Sequence, residues 1–404
     1  MPRLTVLLLF ACACFTSRAQ FKNDNVLFKT VYIDDLCAAM KKNPGYFLLD
    51  VRSRGEYDDT SQYYGLNIGH LKGAVNMSID RLPSEWRSLD IQKDQPVFVY
   101  CSHSQRSRRA SKMLVDSGFT HVINVNGAMT EYNLIRHSTD PCVGALYQTA
   151  NAFQVLSPGE VAHLIASNSD LFILDVRSDS AFRGLAPTSG INAFGKFKGS
   201  VNIPRDSLAA QRGRIPMHRP VLVVDDFGGD AASAVAWLSA NGFTRLHLAF
   251  NGLERWAEMS EKQLPGRERY WIPPHGIHLL SPDDMAAKLA KDPDMLLIDI
   301  RTAAEFNNES KKTWQNVGHL EGSVNVPAEG FEQHVDEFQP DKYKDILVYG
   351  FSSSADAFAA ARTLVANGYG KVNVLVGGIW DVRWKAANEK QEAHLKKWVV
   401  DDPN

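Results

Sequence analysis

One stretch of the chain has the residue types and spacing of a reactive centre: Cys101-Ser102-His103-Ser104-Gln105-Arg106-Ser107. The cysteine follows the apolar run PVFVY, which ends at Tyr100, and a helical pattern begins within the next few residues. A strand-to-helix turn places successive backbone N–H groups around its first side chain and adds the positive end of the helix dipole. Such a setting favours the thiolate and holds an anion over the sulfur. Arg106, with Arg108, Arg109 and Lys112 close by, biases the local field the same way. A cysteine closing a buried strand is often only a small core hydrophobe. Packing, however, does not require the polar run Ser-His-Ser-Gln-Arg that follows it. His103 either supports the thiolate and contacts a ligand or is a solvated loop residue, and both readings stay open.

The elements that must position this loop emerge from an internal repeat. Four blocks recur three times in the same order. LLDVR ends at Arg52, ILDVR at Arg177 and LIDIR at Arg301. GHLKGAVN runs from Gly69 to Asn76, GKFKGSVN from Gly195 to Asn202, and GHLEGSVN from Gly318 to Asn325. The apolar strands PVFVY, PVLVV and DILVY end at Tyr100, Val224 and Tyr349. The last block is a helix end, beginning SGF at Ser117, NGF at Asn241 and NGY at Asn367. The repeat is about 125 residues, the size of a small domain rather than of a solenoid unit.

Within each repeat, strand and helix signals alternate. FILDV and LLIDI are continuous apolar runs, as strands covered on both faces read. Ser157-Pro158 and Ser281-Pro282 each open a helix, with Ser as cap and Pro at the first position; Glu160 completes a capping box in the former. The helix after the cysteine puts Ala110, Met113, Leu114 and Ser117 on one face and stops at Gly118. The expected fold is α/β: three tandem domains over 27–136, 153–260 and 276–388, each a mostly parallel central sheet flanked by helices. Linkers are expected near Asn133–Ala152 and Glu258–Ile277, and a solvated helix over Trp384–Val400.

The chain resembles the rhodanese (sulfurtransferase) family, repeated three times. The matching residues are Asp50-Val51-Arg52; Gly69, His70, Gly73, Ala74 and Asn76; Cys101, Arg106 and Ser107; and Gly118, Phe119, Val122 and Gly127. The resemblance implies a five-stranded parallel sheet and a cysteine that carries sulfane sulfur as a persulfide. Cys101 would then be catalytic, with Ser102, His103, Ser104, Gln105, Arg106 and Ser107 binding the substrate. A small anionic donor such as thiosulfate and a thiol or cyanide acceptor are implied as partners. Many single-domain members have Gly where this chain has Ser104, so strain is expected if that position needs a positive φ. The related phosphatases carry five residues between Cys and Arg; here there are four, which argues against that chemistry.

The repeats act as internal controls. Where repeat one has Cys101 and Arg106, repeat two has Asp225 and Asp230, and repeat three has Gly350 and Ala355. Repeats two and three therefore read as copies without catalytic capacity, forming one wall of a cleft or recruiting a protein partner. The Asp-x-Arg pairs and the glycine-asparagine block persist in them, so Asp50, Arg52 and His70 read as structural. The competing function class is a persulfide relay or redox sensor. Cys37 and Cys142 read as inert, with a disulfide between them open in an oxidising compartment.

A net charge of −2 on 404 residues argues against a nucleic-acid binder. The apolar run Leu4–Phe15, flanked by Arg3 and by Ser17-Arg18-Ala19, reads as a signal peptide over residues 1–19. That implies export to a periplasm or the outside, with a lipid anchor on Cys12 the weaker variant. No later segment is apolar and long enough to span a bilayer. No metal and no organic cofactor are expected.

Overall fold

The computed structural model describes residues 27–135, 141–184, 194–338 and 342–400. The proposed signal peptide lies outside them. Each repeat builds a five-stranded, all-parallel sheet with one topology. In repeat one the order across the sheet is Lys29–Tyr32, Val122–Asn126, Val97–Tyr100, Phe47–Asp50 and Val75–Asn76. Repeats two and three reproduce it, with Val221–Val224 and Ile346–Tyr349 as their central strands. Every residue of these three central strands is buried, which explains why they read as unbroken apolar runs.

Local signals place the flanking helices as expected. Ser157 and Glu160 form a reciprocal capping box, and the Ser281 hydroxyl accepts from the Asp284 amide. The helix Gln105–Asp116 buries Ala110 and Leu114 and ends at Gly118, whose φ is +90°. The Asp-x-Arg motif folds identically three times. Arg52 donates twice to the Asp50 carboxylate and once to the Gly69 carbonyl; Arg177 and Arg301 do the same with Asp175 and Gly195, and with Asp299 and Gly318. All six side chains are buried, so these pairs anchor the sheet's carboxyl edge to the glycine block.

Two expectations need correction. The segment read as a linker after Asn133 belongs to repeat one. It forms a helix, Pro141–Ala145, and a strand, Tyr147–Gln148, that pairs antiparallel with His70–Leu71. The Trp271–Ile272 strand in the second linker pairs with Lys196–Phe197 in the same way. The C-terminal stretch is likewise not a solvated helix. Its helix ends at Asn388, a 3-10 segment spans Lys390–Trp398, and Val399–Val400 pairs with His319–Leu320. Lys385 and Glu392 are buried there. Each repeat is thus closed by a strap that crosses its glycine block. The first glycine of that block has φ of +75°, +69° and +73° at Gly69, Gly195 and Gly318. A Cβ there would lie 2.7, 2.0 and 2.2 Å from strap carbonyls at Gln148, Ile272 and Val400. These glycines persist because the strap's backbone needs the room.

Cys37 and Cys142 form a disulfide, 2.06 Å between sulfurs, joining the helix Leu36–Lys42 to the strap of repeat one. The pairing left open for these two cysteines is thus the one found, and Cys101 stays free. The repeats also share cores. Val31, Ile123 and Tyr132 belong to one cluster with Leu174, Val235 and Phe243 of repeat two. Phe194 and Trp256 of repeat two cluster with Phe358 of repeat three. Among the described residues, no helix is long and apolar enough to cross a membrane.

Candidate active site

Cys101 stands at the carboxyl end of the central strand, the crevice position at which open parallel sheets bind ligands. It is the free cysteine of the described chain, and it is 1% exposed. Its Sγ lies 3.7 Å from the Ser107 hydroxyl, which donates onward to the Ser104 carbonyl at 3.0 Å. The loop is held from behind by the helix Ala128–Ile135. The Met129 amide donates to the Cys101 carbonyl and the Thr130 amide to that of Ser102.

The residues expected to bind substrate divide into two groups. Ser102, Ser104 and Ser107 are buried and bonded within the loop or to its supports. His103 and Gln105 are exposed, and Arg106 is half-buried. Ser104 resolves the strain question. Its φ is −169°, extended backbone open to any residue, and its hydroxyl accepts from the Gly127 amide at 3.0 Å while bonding the His103 carbonyl. A positive φ is therefore not required at this position of repeat one. It occurs at the equivalent Gly228 of repeat two, where φ is +89°.

Arg106 has a partner that sequence inspection missed. Its Nη1 and Nη2 donate to the two carboxylate oxygens of Glu56, each at 2.7 Å, and Nη2 also reaches the Ser102 hydroxyl at 2.8 Å. Glu56 in turn closes a capping box with Ser53 at the start of Arg54–Tyr57. Burial alone would raise the Glu56 pKa, but the Arg106 and Ser53 hydrogen bonds override it and hold the carboxyl at about 2. The Ser53-x-x-Glu56 spacing was a visible cap signal; its link to Arg106, fifty residues away, was not.

Repeat two displays what this type of loop does with an anion. Asp225, at the position of Cys101, points its carboxylate into the turn. It accepts from the Gly228 amide, from Asp230 N at 2.8 Å and from Ala231 N at 3.0 Å. These amides correspond to those of Ser104, Arg106 and Ser107. A turn of this type can therefore cradle a charged sulfur atom or an anionic ligand on it, with Ser104 differing from Gly228 in backbone conformation.

Behind the loop, ionisable groups from all three repeats converge. Glu131 on the supporting helix interacts with Arg255 and Glu258 of repeat two and with Asp381 and Lys385 of repeat three, all of them buried. Arg255 pairs with Glu258 at 2.9 Å and Lys385 with Asp381 at 3.2 Å. Burial raises the Glu131 and Glu258 pKa values above the ordinary carboxylate range. His103 feels the same region. Its pKa is lowered by the surrounding protein, then by the Arg255 and Arg106 charges. Arg255 of repeat two thus contributes charge at the 101–107 loop. A crevice of about 810 Å³ between repeats one and two, lined by Leu134, Leu156, His163 and His247, includes no residue of the 101–107 loop.

These features define a tandem α/β protein with, among the described residues, one free thiol, at the carboxyl end of a central strand. The rhodanese-like domain family matches residues 34–134, 157–259 and 281–386, and the chain belongs to that family. The uncharacterized protein YqhL of Bacillus subtilis is 29% identical over 132 residues, covering 33% of this chain and 94% of its own length. A tRNA uridine(34) hydroxylase of Photorhabdus laumondii is 29% identical over 97 residues, 23% of this chain and 25% of that protein. The chain spans only about a quarter of the hydroxylase. The solved thiosulfate sulfurtransferase of Pseudomonas aeruginosa is 18% identical, with 87% of this chain and 66% of that one covered at a TM-score of 0.22.

Proposed function

We propose that the protein is an exported sulfurtransferase that moves sulfane sulfur from thiosulfate, or a similar small anion, to a thiophilic acceptor. The Cys101 thiolate attacks the outer sulfur of thiosulfate. A sulfur–sulfur bond forms on Cys101, the donor's sulfur–sulfur bond breaks, and sulfite leaves with the electron pair. Cyanide or a thiolate then attacks the terminal sulfur of the persulfide and regenerates the Cys101 thiolate. The observation that carries this reading is a free thiol occupying the turn position at which, in repeat two, three amides hold a carboxylate.

Ser107 and the first amides of the Gln105–Asp116 helix would stabilise the persulfide anion. His103 and Gln105, the exposed loop residues, would meet donor and acceptor. Arg106 would act chiefly through its clamp on Glu56, keeping the turn closed around the sulfur. Support for export comes from the leader-like N-terminus and the Cys37–Cys142 disulfide, since structural disulfides persist in oxidising compartments.

Thiocyanate formation from thiosulfate and cyanide is the test. Cys101→Ser should abolish it, while the Cys37→Ser/Cys142→Ser double variant retains it below its lowered unfolding temperature. Activity surviving in Cys101→Ser would refute the single-site reading. A persulfide that forms but passes to no small acceptor would favour the relay reading, with repeats two and three docking a protein partner.

A further inference from the structure

Far from the thiol, the strap of repeat three meets the first helix of that repeat at three side chains: Asp283, Glu392 and His394. One donor atom from each lies within 4.8 Å of the others. Asp283 stands in the first turn of the helix Pro282–Lys291; Glu392 and His394 belong to the 3-10 segment Lys390–Trp398. His394 Nε2 is 3.2 Å from Asp283 Oδ1. Two ligands of a tetrahedral ion, each about 2.0–2.1 Å from it, are about 3.3 Å apart. The pair thus already has the spacing of one tetrahedral edge.

The third group points to a ligand independently. Glu392 is 5% exposed, and its buried Oε2 has no hydrogen-bond partner among the described residues. A buried carboxylate oxygen left unpaired keeps the full cost of its lost hydration, so such atoms are normally satisfied. We propose that Asp283, Glu392 and His394 form a binding site for a divalent transition-metal ion, Zn2+ being the best match. One imidazole and two carboxylates suit a borderline cation, and their two negative charges balance its two positive ones. The exposed His394 gives the ion a path in from solvent and leaves a fourth position for water.

Repeat one shows what such a site would do. There the same two elements, the first helix and the strap, are tied by the Cys37–Cys142 disulfide. Asp34-Asp35 just before that helix aligns with Asp283-Asp284, which puts Cys37 about one turn beyond the position of Asp283. Repeat three has no cysteine there, and brings a histidine and two carboxylates to the equivalent seam. The ion would fasten the C-terminal strap, and with it the Val399–Val400 strand, onto repeat three.

The test is calorimetric titration of Zn2+ into the chelator-treated chain from Gln20 onward carrying Cys101→Ser, so that Cys12, Cys14 and Cys101 do not compete for the ion. The expected result is one equivalent bound at micromolar Kd or tighter, with a raised unfolding temperature. His394→Ala, an exposed position that keeps the fold, and the isosteric Glu392→Gln should each weaken binding by ~10-fold or more. Absence of saturable binding, or binding unchanged in both variants, would overturn the assignment.

Discussion

Arg106 and Glu56 hold one another at two points, Nη1 to Oε2 and Nη2 to Oε1, both at 2.7 Å. The bond joins the first turn of the helix after Cys101 to the capping box after the Asp50 strand, so it locks the thiol's turn against the sheet edge. Arg106→Ala and Glu56→Gln should therefore each slow persulfide formation by ~10-fold, and their effects should not add in the double variant. Each should also cost about 1–3 kcal/mol of stability, because a buried Glu56 or a half-buried Arg106 is left without its partner. Full additivity in rate would instead assign Arg106 to the donor itself.

The same pair carries a pH signature. Glu56 is held at about 2 in the folded protein, below its unfolded value of about 4.3. Its contribution is complete above pH ~4.5 and is lost as pH falls through the folded value. The gap in unfolding temperature between wild type and Glu56→Gln should therefore narrow between pH 5 and pH 2.5. A constant gap would show that the Glu56 charge does not hold the clamp.

Ser104 is extended at φ −169° where Gly228, its counterpart, is left-handed at φ +89°. Ser104→Gly should open the second conformation to the thiol loop and turn another amide toward the sulfur, as Gly228 turns its own toward Asp225. The expected outcome is a lower KM for thiosulfate with a loss of about 1 kcal/mol, the latter from the missing bond to the Gly127 amide. An unchanged KM would show that this residue's backbone does not limit anion binding.

The straps make a separate claim about glycine. At Gly195 an added Cβ would sit 2.0 Å from the Ile272 carbonyl oxygen, whereas at Gly73 it would meet nothing within 4 Å. Both residues have positive φ. Gly73→Ala should cost only the conformational term, about 1 kcal/mol. Gly195→Ala should cost several kcal/mol or prevent folding, since the strap must be displaced as well. Equal costs in denaturant unfolding would mean that the strap is not tightly seated.

How far the sequence could be read follows from how local each feature is. Cys101, its polar turn and the helix stop at Gly118 are contiguous, and the triplication exposed the Asp-x-Arg anchors by repeating them where no thiol exists. The straps were mistaken for linkers because strands of two residues, such as Tyr147–Gln148 and Val399–Val400, carry no periodicity to detect. Lys385 and Glu392 look solvated in a polar C-terminal run, and only the packing of the chain end on repeat three buries them. Nothing in the sequence singles out Glu56 as a site residue, because its partner lies fifty residues on. The Glu131–Arg255–Lys385 convergence needs all three repeats assembled, and no single repeat's pattern announces it.

The central claim is that Cys101 carries sulfur covalently, and intact-mass measurement of the protein after incubation with thiosulfate tests it most directly. The wild-type chain should gain one sulfur atom that cyanide then removes, and Cys101→Ser should gain none. An unmodified wild-type protein, or a sulfur atom still acquired by Cys101→Ser, would contradict the account.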